Sequence, residues 1–365
     1  MTSFSRRQFL KTGFALGVSS LIPGCLSTQK NDWLVSACTD EQGLHHVAAF
    51  DVSGHIVSQV ALPARAHECL ALPDKPGHAL IVARRPGEYL LEVDFISGQI
   101  VNQTTAESGS HFYGHACLLP DGQHICTSEN HYVKGEGRIV IRDKATLKVI
   151  DKFYSGGIGP HQIKTMPDNK TLVVANGGIL THPSQPRKKL NLRTMRPNLS
   201  YLDLNNGKVI DSFELKNHQL SIRHLDVAKS GKVVIGAQYQ GAKTDMLPLL
   251  FSHEGQDKLS EFITSDLTWL SMNQYIASVV IHEEMDMVAA SCPRANKVTL
   301  WQLSSGKLLT QHKVYDGAGV ELNETGFWVS NGRGAMFNTD LNTSSEQFNQ
   351  PNLKWDNHLT SIKAV

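Results

Sequence analysis

The chain reads as an all-β protein, a seven-bladed β-propeller of the WD40/YVTN-like kind, and two observations predict it. One phrase recurs along most of the 365 residues: an apolar strand, a Pro-Asp-Gly-like turn, a β-rich strand ending in small residues, and a third strand closed by Asp-x-x-x-Gly. The phrase returns every 40 to 60 residues or so, roughly the span of one four-stranded blade. A lone blade cannot cover both of its apolar faces, so blades must stack, and closing the ring removes the exposed end sheets. A β-sandwich followed by a second β domain would not make one phrase recur throughout.

The units follow in order. A first, partial one runs from His46 to Gly54. The second begins at His67-Glu68-Cys69-Leu70 and passes Pro73-Asp74 to Ala79-Leu80-Ile81-Val82-Ala83. The third and fourth are the clearest, opening at Gly114-His115-Ala116-Cys117 before Pro120-Asp121-Gly122, and at Pro160-His161-Gln162-Ile163 before Pro167-Asp168-Asn169. The fifth opens at Arg223-His224-Leu225, and two degenerate copies start at Ser278-Val279-Val280 and Gly319-Val320-Glu321. Third strands give an independent register at Leu91 to Gly98, Leu202 to Gly207 and Thr299 to Gly306, each alternating and then turning tightly. The segment Leu359 to Val365 is expected beside Trp33 to Ala37, fastening the ring.

Residues 1–30 read as an address and 31–365 as the single propeller. Ser5-Arg6-Arg7-Gln8-Phe9-Leu10-Lys11 resembles the twin-arginine export consensus, and Thr12 to Ile22 is a short, moderately apolar run of signal-peptide type. Ile22-Pro23-Gly24-Cys25 resembles a lipoprotein cleavage box, which makes Cys25 a candidate lipidation site and offers a lipid anchor. The expectation is a periplasmic protein exported by the twin-arginine route, anchored if Cys25 is acylated and free if it is not.

Charge and motifs exclude several classes. Thirty-five basic and 34 acidic residues leave a formal charge of +1, so no net field attracts nucleic acid. No stretch reaches the roughly 20 apolar residues of a spanning helix. Five cysteines follow Cys25 without Cys-x-x-Cys spacing, although Cys117 and Cys126 flank one turn and could face each other across a hairpin. Nucleophile elbow, phosphate loop and His-Glu-x-x-His are all missing, so no enzyme class follows from motifs.

In four consecutive units a histidine stands just before the first strand: His67, His115, His161 and His224. That strand is innermost in a propeller, so these imidazoles should converge at the mouth of the central channel, where they would suit a transition metal such as iron or copper. Repeated structural histidines bonding between strands are the competing reading. Arg223 adds a donor suited to an anionic ligand. Loops after the second strands supply further candidate ligand-binding residues, Asn130, Asn176, His182 and Gln238, on a common face. Between His182 and Asn198 a basic excursion carries Arg187, Lys188, Lys189, Arg193 and Arg196, suited to an acidic partner or lipid headgroups, or simply a solvated loop. Few carboxylates are expected near the mouth: Glu68, Glu129 and Glu321.

The export signal, Gly114-His115 with Pro120-Asp121-Gly122, Ile158-Gly159-Pro160-His161, Val174 to Ile179 with Thr181-His182-Pro183, and Leu220 to His224 together resemble a family of bacterial twin-arginine-exported propellers, the DUF1513 type. The resemblance spans nearly the whole chain. It implies a role in iron uptake or handling, because such propellers are commonly encoded beside imelysin-like periplasmic proteins, which would be the partners. The favoured expectation is a binding or scaffold propeller with a metal or ligand site at the channel mouth. The alternative is a metal-dependent propeller enzyme, a lactonase-like hydrolase or an oxidoreductase.

Overall fold

The computed structural model of the protein describes residues 32–185 and 188–364. The export segment and Cys25 lie outside the described residues. Seven antiparallel sheets follow one another along the chain, six of four strands and one of five, and they pack as the blades of a propeller. In blades 2 to 7 the strands run outward in chain order, starting at Ala66–Ala71, Ser110–Leu118, Pro160–Thr165, Leu220–Val227, Ser278–His282 and Gly317–Asn323. Blade 1 is closed by the two ends of the chain. Its strand Asp32–Asp40 pairs with Leu353–Trp355 and with Thr360–Lys363, in the register Trp33 to Ile362 and Val35 to Thr360.

Burial explains why the strands of one blade look so different in sequence. A second strand is covered on both faces by neighbouring blades, so His78–Ala83 (HALIVA) and Thr171–Asn176 (TLVVAN) are nearly continuous apolar runs. The outermost strand Val209–Glu214 (VIDSFE) is mostly exposed and correspondingly mixed. The recurring Asp is equally physical. Asp121 Oδ1 accepts the backbone N–H groups of Gln123 and His124 at 2.8 and 3.0 Å, and Asp168 Oδ1 accepts those of Lys170 and Thr171 at 2.9 Å. These are Asx turns, in which a carboxylate substitutes for a backbone acceptor where the chain reverses. Cys117 and Cys126 do face each other across their hairpin, with sulfurs 3.1 Å apart and both thiols free.

What positions the site is an irregularity repeated at the head of the inner strands. Pairing with the second strand slips between Ala66 and Cys69, Phe112 and Ala116, Pro160 and Ile163, and Ile222 and His224. Such a bulge bends the strand and re-aims a side chain. Each of these slips contains or borders one of the four histidines picked out above. Gly114 makes one of them sterically feasible: its φ is +104°, and a Cβ there would sit 2.5 Å from the His67 ring carbon Cδ2.

Candidate metal centre at the propeller hub

Five histidines meet at the hub: the expected His67, His115, His161 and His224, and also His358. All five are at most 6% exposed. Ring centroids lie from 4.5 Å apart (His115 and His161) to 6.5 Å (His67 and His224), and His358 stands 4.6 Å from His67 and 4.8 Å from His115. His358 occupies the gap between the two C-terminal strands of blade 1, which is the equivalent of the bulge in blades 2 to 5. It stands two residues before the closing strand Thr360–Lys363, whereas the other four, expected just before their strands, lie within the bulged inner strands of their blades, so no shared offset marked it in the sequence. Blade 7 carries Gly319 at its own bulge, and a Cβ there would fall 3.1 Å from the backbone of His358 and Leu359, so the missing side chain makes room for the fifth histidine.

Two overlapping triads, His67–His115–His161 and His115–His224–His358, each place one potential ligand atom per residue within 4.8 Å of the others. The Nε2 atoms of His67 and His161 are 3.4 Å apart. Two imidazoles bound tetrahedrally to one ion at the usual metal–nitrogen distance leave their nitrogens about 3.4 Å apart. Several ring nitrogens are buried without a hydrogen-bond partner: Nδ1 of His67, His161 and His224, both nitrogens of His115 in geometric terms, and Nε2 of His358. Buried polar atoms almost always have partners, and leaving one without costs on the order of 1–3 kcal/mol, so such a concentration at one point calls for a ligand.

Burial favours the neutral form of four of the five rings. Burial, with the neighbouring imidazoles adding to it, pushes His67, His161 and His224 well below the usual imidazole range and His358 down to about 3. Neutral imidazole is the form that ligates metals. Glu68 stands beside the group with Oε1 3.1 Å from His115 Nδ1, an oblique approach, while its Oε2 accepts the Ala116 backbone N–H at 2.9 Å. Burial alone would raise the Glu68 carboxyl; the facing His115 and this backbone donor outweigh it, and the group is held below its ordinary value. A carboxylate behind an imidazole fixes the ring and leaves the far nitrogen for an ion. Asp356 lies against the other side, bonded to Arg65 and 3.9 Å from His67 Nδ1.

The remaining expected ligand residues divide. Arg223 and Gln238 line the cavity above the histidines, together with Lys189 from the basic excursion. Gln238 Nε2 donates to the Ile276 carbonyl at 3.0 Å. Asn130, Asn176 and His182 stand apart from that cavity. Asn130 bonds His111 and the Thr181 carbonyl, Asn176 ties Ser155 to Ser200, and His182 Nδ1 bonds the Ser184 hydroxyl. Of the three carboxylates, only Glu68 reaches the histidines. Glu129 is locked in a buried pair with Arg142 at 2.7 Å, and Glu321 accepts backbone donors of Leu322 and Ser361.

The sequence matches the family described as "Protein of unknown function (DUF1513)" over residues 60–362. No curated protein matches the chain. Among solved structures, Kuenenia stuttgartiensis hydrazine synthase is similar with a TM-score of 0.62 at 13% identity, over 87% of this chain and 95% of that one. The Myceliophteria thermophila Cps50 (Swd1) β-propeller domain is similar with a TM-score of 0.55 at 12% identity, over 92% of this chain and 95% of that one. At such identities the likeness is one of fold.

Proposed function

The chain belongs to the DUF1513 family, and from the geometry of its hub we propose that it is a metal-binding propeller that holds a first-row transition ion on His67, His115, His161, His224 and His358. The observation that carries this is the convergence of five buried imidazoles from five blades, each with at least one ring nitrogen lacking a partner. Imidazole donors suit copper, iron, zinc and nickel, whereas the oxygen-rich donor set of a calcium-dependent lactonase does not assemble here. A site of this kind, offering three or more side chains to one ion, fits storage, delivery or sensing of a metal, with the Glu68–His115 pair orienting a ligand ring.

The segment Ser5 to Lys11 supports export by the twin-arginine route, and Cys25 supports a lipid anchor. Folding before export would allow the hub to be filled inside the cytoplasm. Iron handling is the role the family resemblance implies. Because Cu²⁺ heads the affinity order for nitrogen sites, a comparison of metals must include iron(II) without oxygen as well as copper and zinc.

The test is a titration of metal-free protein followed by elemental analysis after desalting. The expected outcome is stoichiometric retention of at least one of these ions, lowered at least about 100-fold in affinity by His115→Ala or His161→Ala. Absence of retained metal for all three ions, or retention indifferent to both variants, would overturn the reading.

A further inference from the structure

Above the imidazoles the channel opens into a cavity of about 190 Å³ whose floor includes His67, His161 and His224. Among the described residues its walls carry five cations, Arg84, Arg85, Arg223, Arg294 and Lys189, and no carboxylate. Asp356 beside the cavity is engaged by Arg65 and stands 3.9 Å from Arg84 Nη1. Arg223 is only 7% exposed, and its Nε donates to the Ser221 hydroxyl at 3.1 Å, which leaves its terminal nitrogens to the cavity. Arg84 Nη1 is buried without a hydrogen-bond partner. The Arg294 guanidinium carbon lies over the Tyr275 ring, 4.0 Å from its centroid. Burial first, and Arg85 of the same cavity after it, lower the Arg223 guanidinium to about 10.

Like charges gathered in a partly closed space disfavour the folded state unless a counter-charge joins them. A bare cation approaching the histidines from this side would be repelled by the same field. Guanidinium forks match carboxylates and phosphates through paired N–H donors. Over the imidazole floor, an anion with two or more separate acid groups can hold the arginines with one end and an ion with the other, a reach that orthophosphate, with all its oxygens on one phosphorus, matches less well. With about 190 Å³ of internal space, many times the roughly 10–15 Å³ that one water needs on that measure, the cavity has room for a short di- or tricarboxylate.

We propose that the arginine-lined cavity is a receptor site for a compact multicarboxylate of the citrate or malate class, which binds over the hub and caps the metal as a mixed complex. The capping rests on the metal reading above; recognition of the anion does not.

Calorimetric titration of the purified protein with citrate, orthophosphate and acetate, first metal-free and then metal-loaded, tests it. Citrate should bind the metal-free protein in a 1:1 ratio and more tightly than either other anion. Arg85→Gln and Arg294→Gln should each weaken citrate at least about tenfold, and Arg223→Gln further, while Lys216→Gln on the outer surface should change nothing. Metal loading should tighten citrate at least about tenfold, with the metal still bound afterwards. Unchanged citrate affinity in both Arg85→Gln and Arg294→Gln, or tighter binding of orthophosphate, would overturn the anion site and leave the metal reading standing. Arginine-dependent citrate binding that ignores metal would overturn the mixed complex alone, and failure of metal retention would overturn the metal reading while the anion site survives.

Discussion

At the scale of single residues, four of the five hub imidazoles are held neutral chiefly by burial, with their neighbours adding to it. His358 is held at about 3 mainly by burial, against about 6.5 in an unfolded chain. The unfolded state therefore takes up a proton as pH falls through about 6.5 while the folded state does not, so stability declines with falling pH over the window from about 6.5 to about 3. His67, His161 and His224 shift in the same direction and add to the slope. Urea unfolding of metal-free protein near pH 7 and near pH 5 should show this loss, and His358→Gln should remove up to about 2 kcal/mol of it. An unaltered pH difference in that variant would mean that His358 is not buried neutral. Burial also keeps the His358 ring free of protons down to about pH 3, so its contribution to metal affinity in the folded protein should persist through that window.

At the scale of the element, what matters is the bulge that opens each inner strand. The repeated phrase, the Asp turns and the strand order were all legible in the sequence, because turn chemistry and double-sided burial leave direct marks on composition. The four histidines were legible for the same reason, standing at one offset from four readable strands. His358 was not, since the segment Asp356 to Leu359 interrupts the inner edge of blade 1 and has no following Pro-Asp-Gly to set its register. Nor could the sequence say that Asn176 braces Ser155 and Ser200, or that Glu129 belongs to Arg142, because both depend on which face of a buried strand meets which neighbour. The steric side of the bulge can be checked directly. Gly114→Ala combines a left-handed φ with a clash against His67, and should cost about 2–4 kcal/mol in equilibrium unfolding and weaken metal binding. Gly122→Ala has φ +66° but nothing within 4 Å, and should cost only about 1–2 kcal/mol with metal binding intact. Equal effects of the two would show that the contact with His67 is not tight.

At the scale of the whole molecule, ring closure and site assembly are the same event. The C-terminal strand that locks blade 1 to Asp32–Asp40 also delivers His358, so ligands far apart in sequence meet only when the circle is complete. Ile362 is 3% exposed and pairs with Trp33 in that lock. Ile362→Ala should lower stability by about 2–5 kcal/mol and reduce metal affinity although it touches no ligand, whereas Leu267→Ala, 72% exposed, should stay within about 0.5 kcal/mol and leave metal binding alone. The cationic cavity sits on this same axis, so the propeller offers a neutral nitrogen floor beneath a positive rim. The most direct test of the account is X-ray absorption spectroscopy of the metal-loaded protein. It should show a first shell of imidazole nitrogens at about 2.0–2.1 Å that collapses in the His115→Ala/His161→Ala double variant. A shell dominated by oxygen or sulfur, or one unaffected by that double variant, would contradict a hub built to hold metal on histidines.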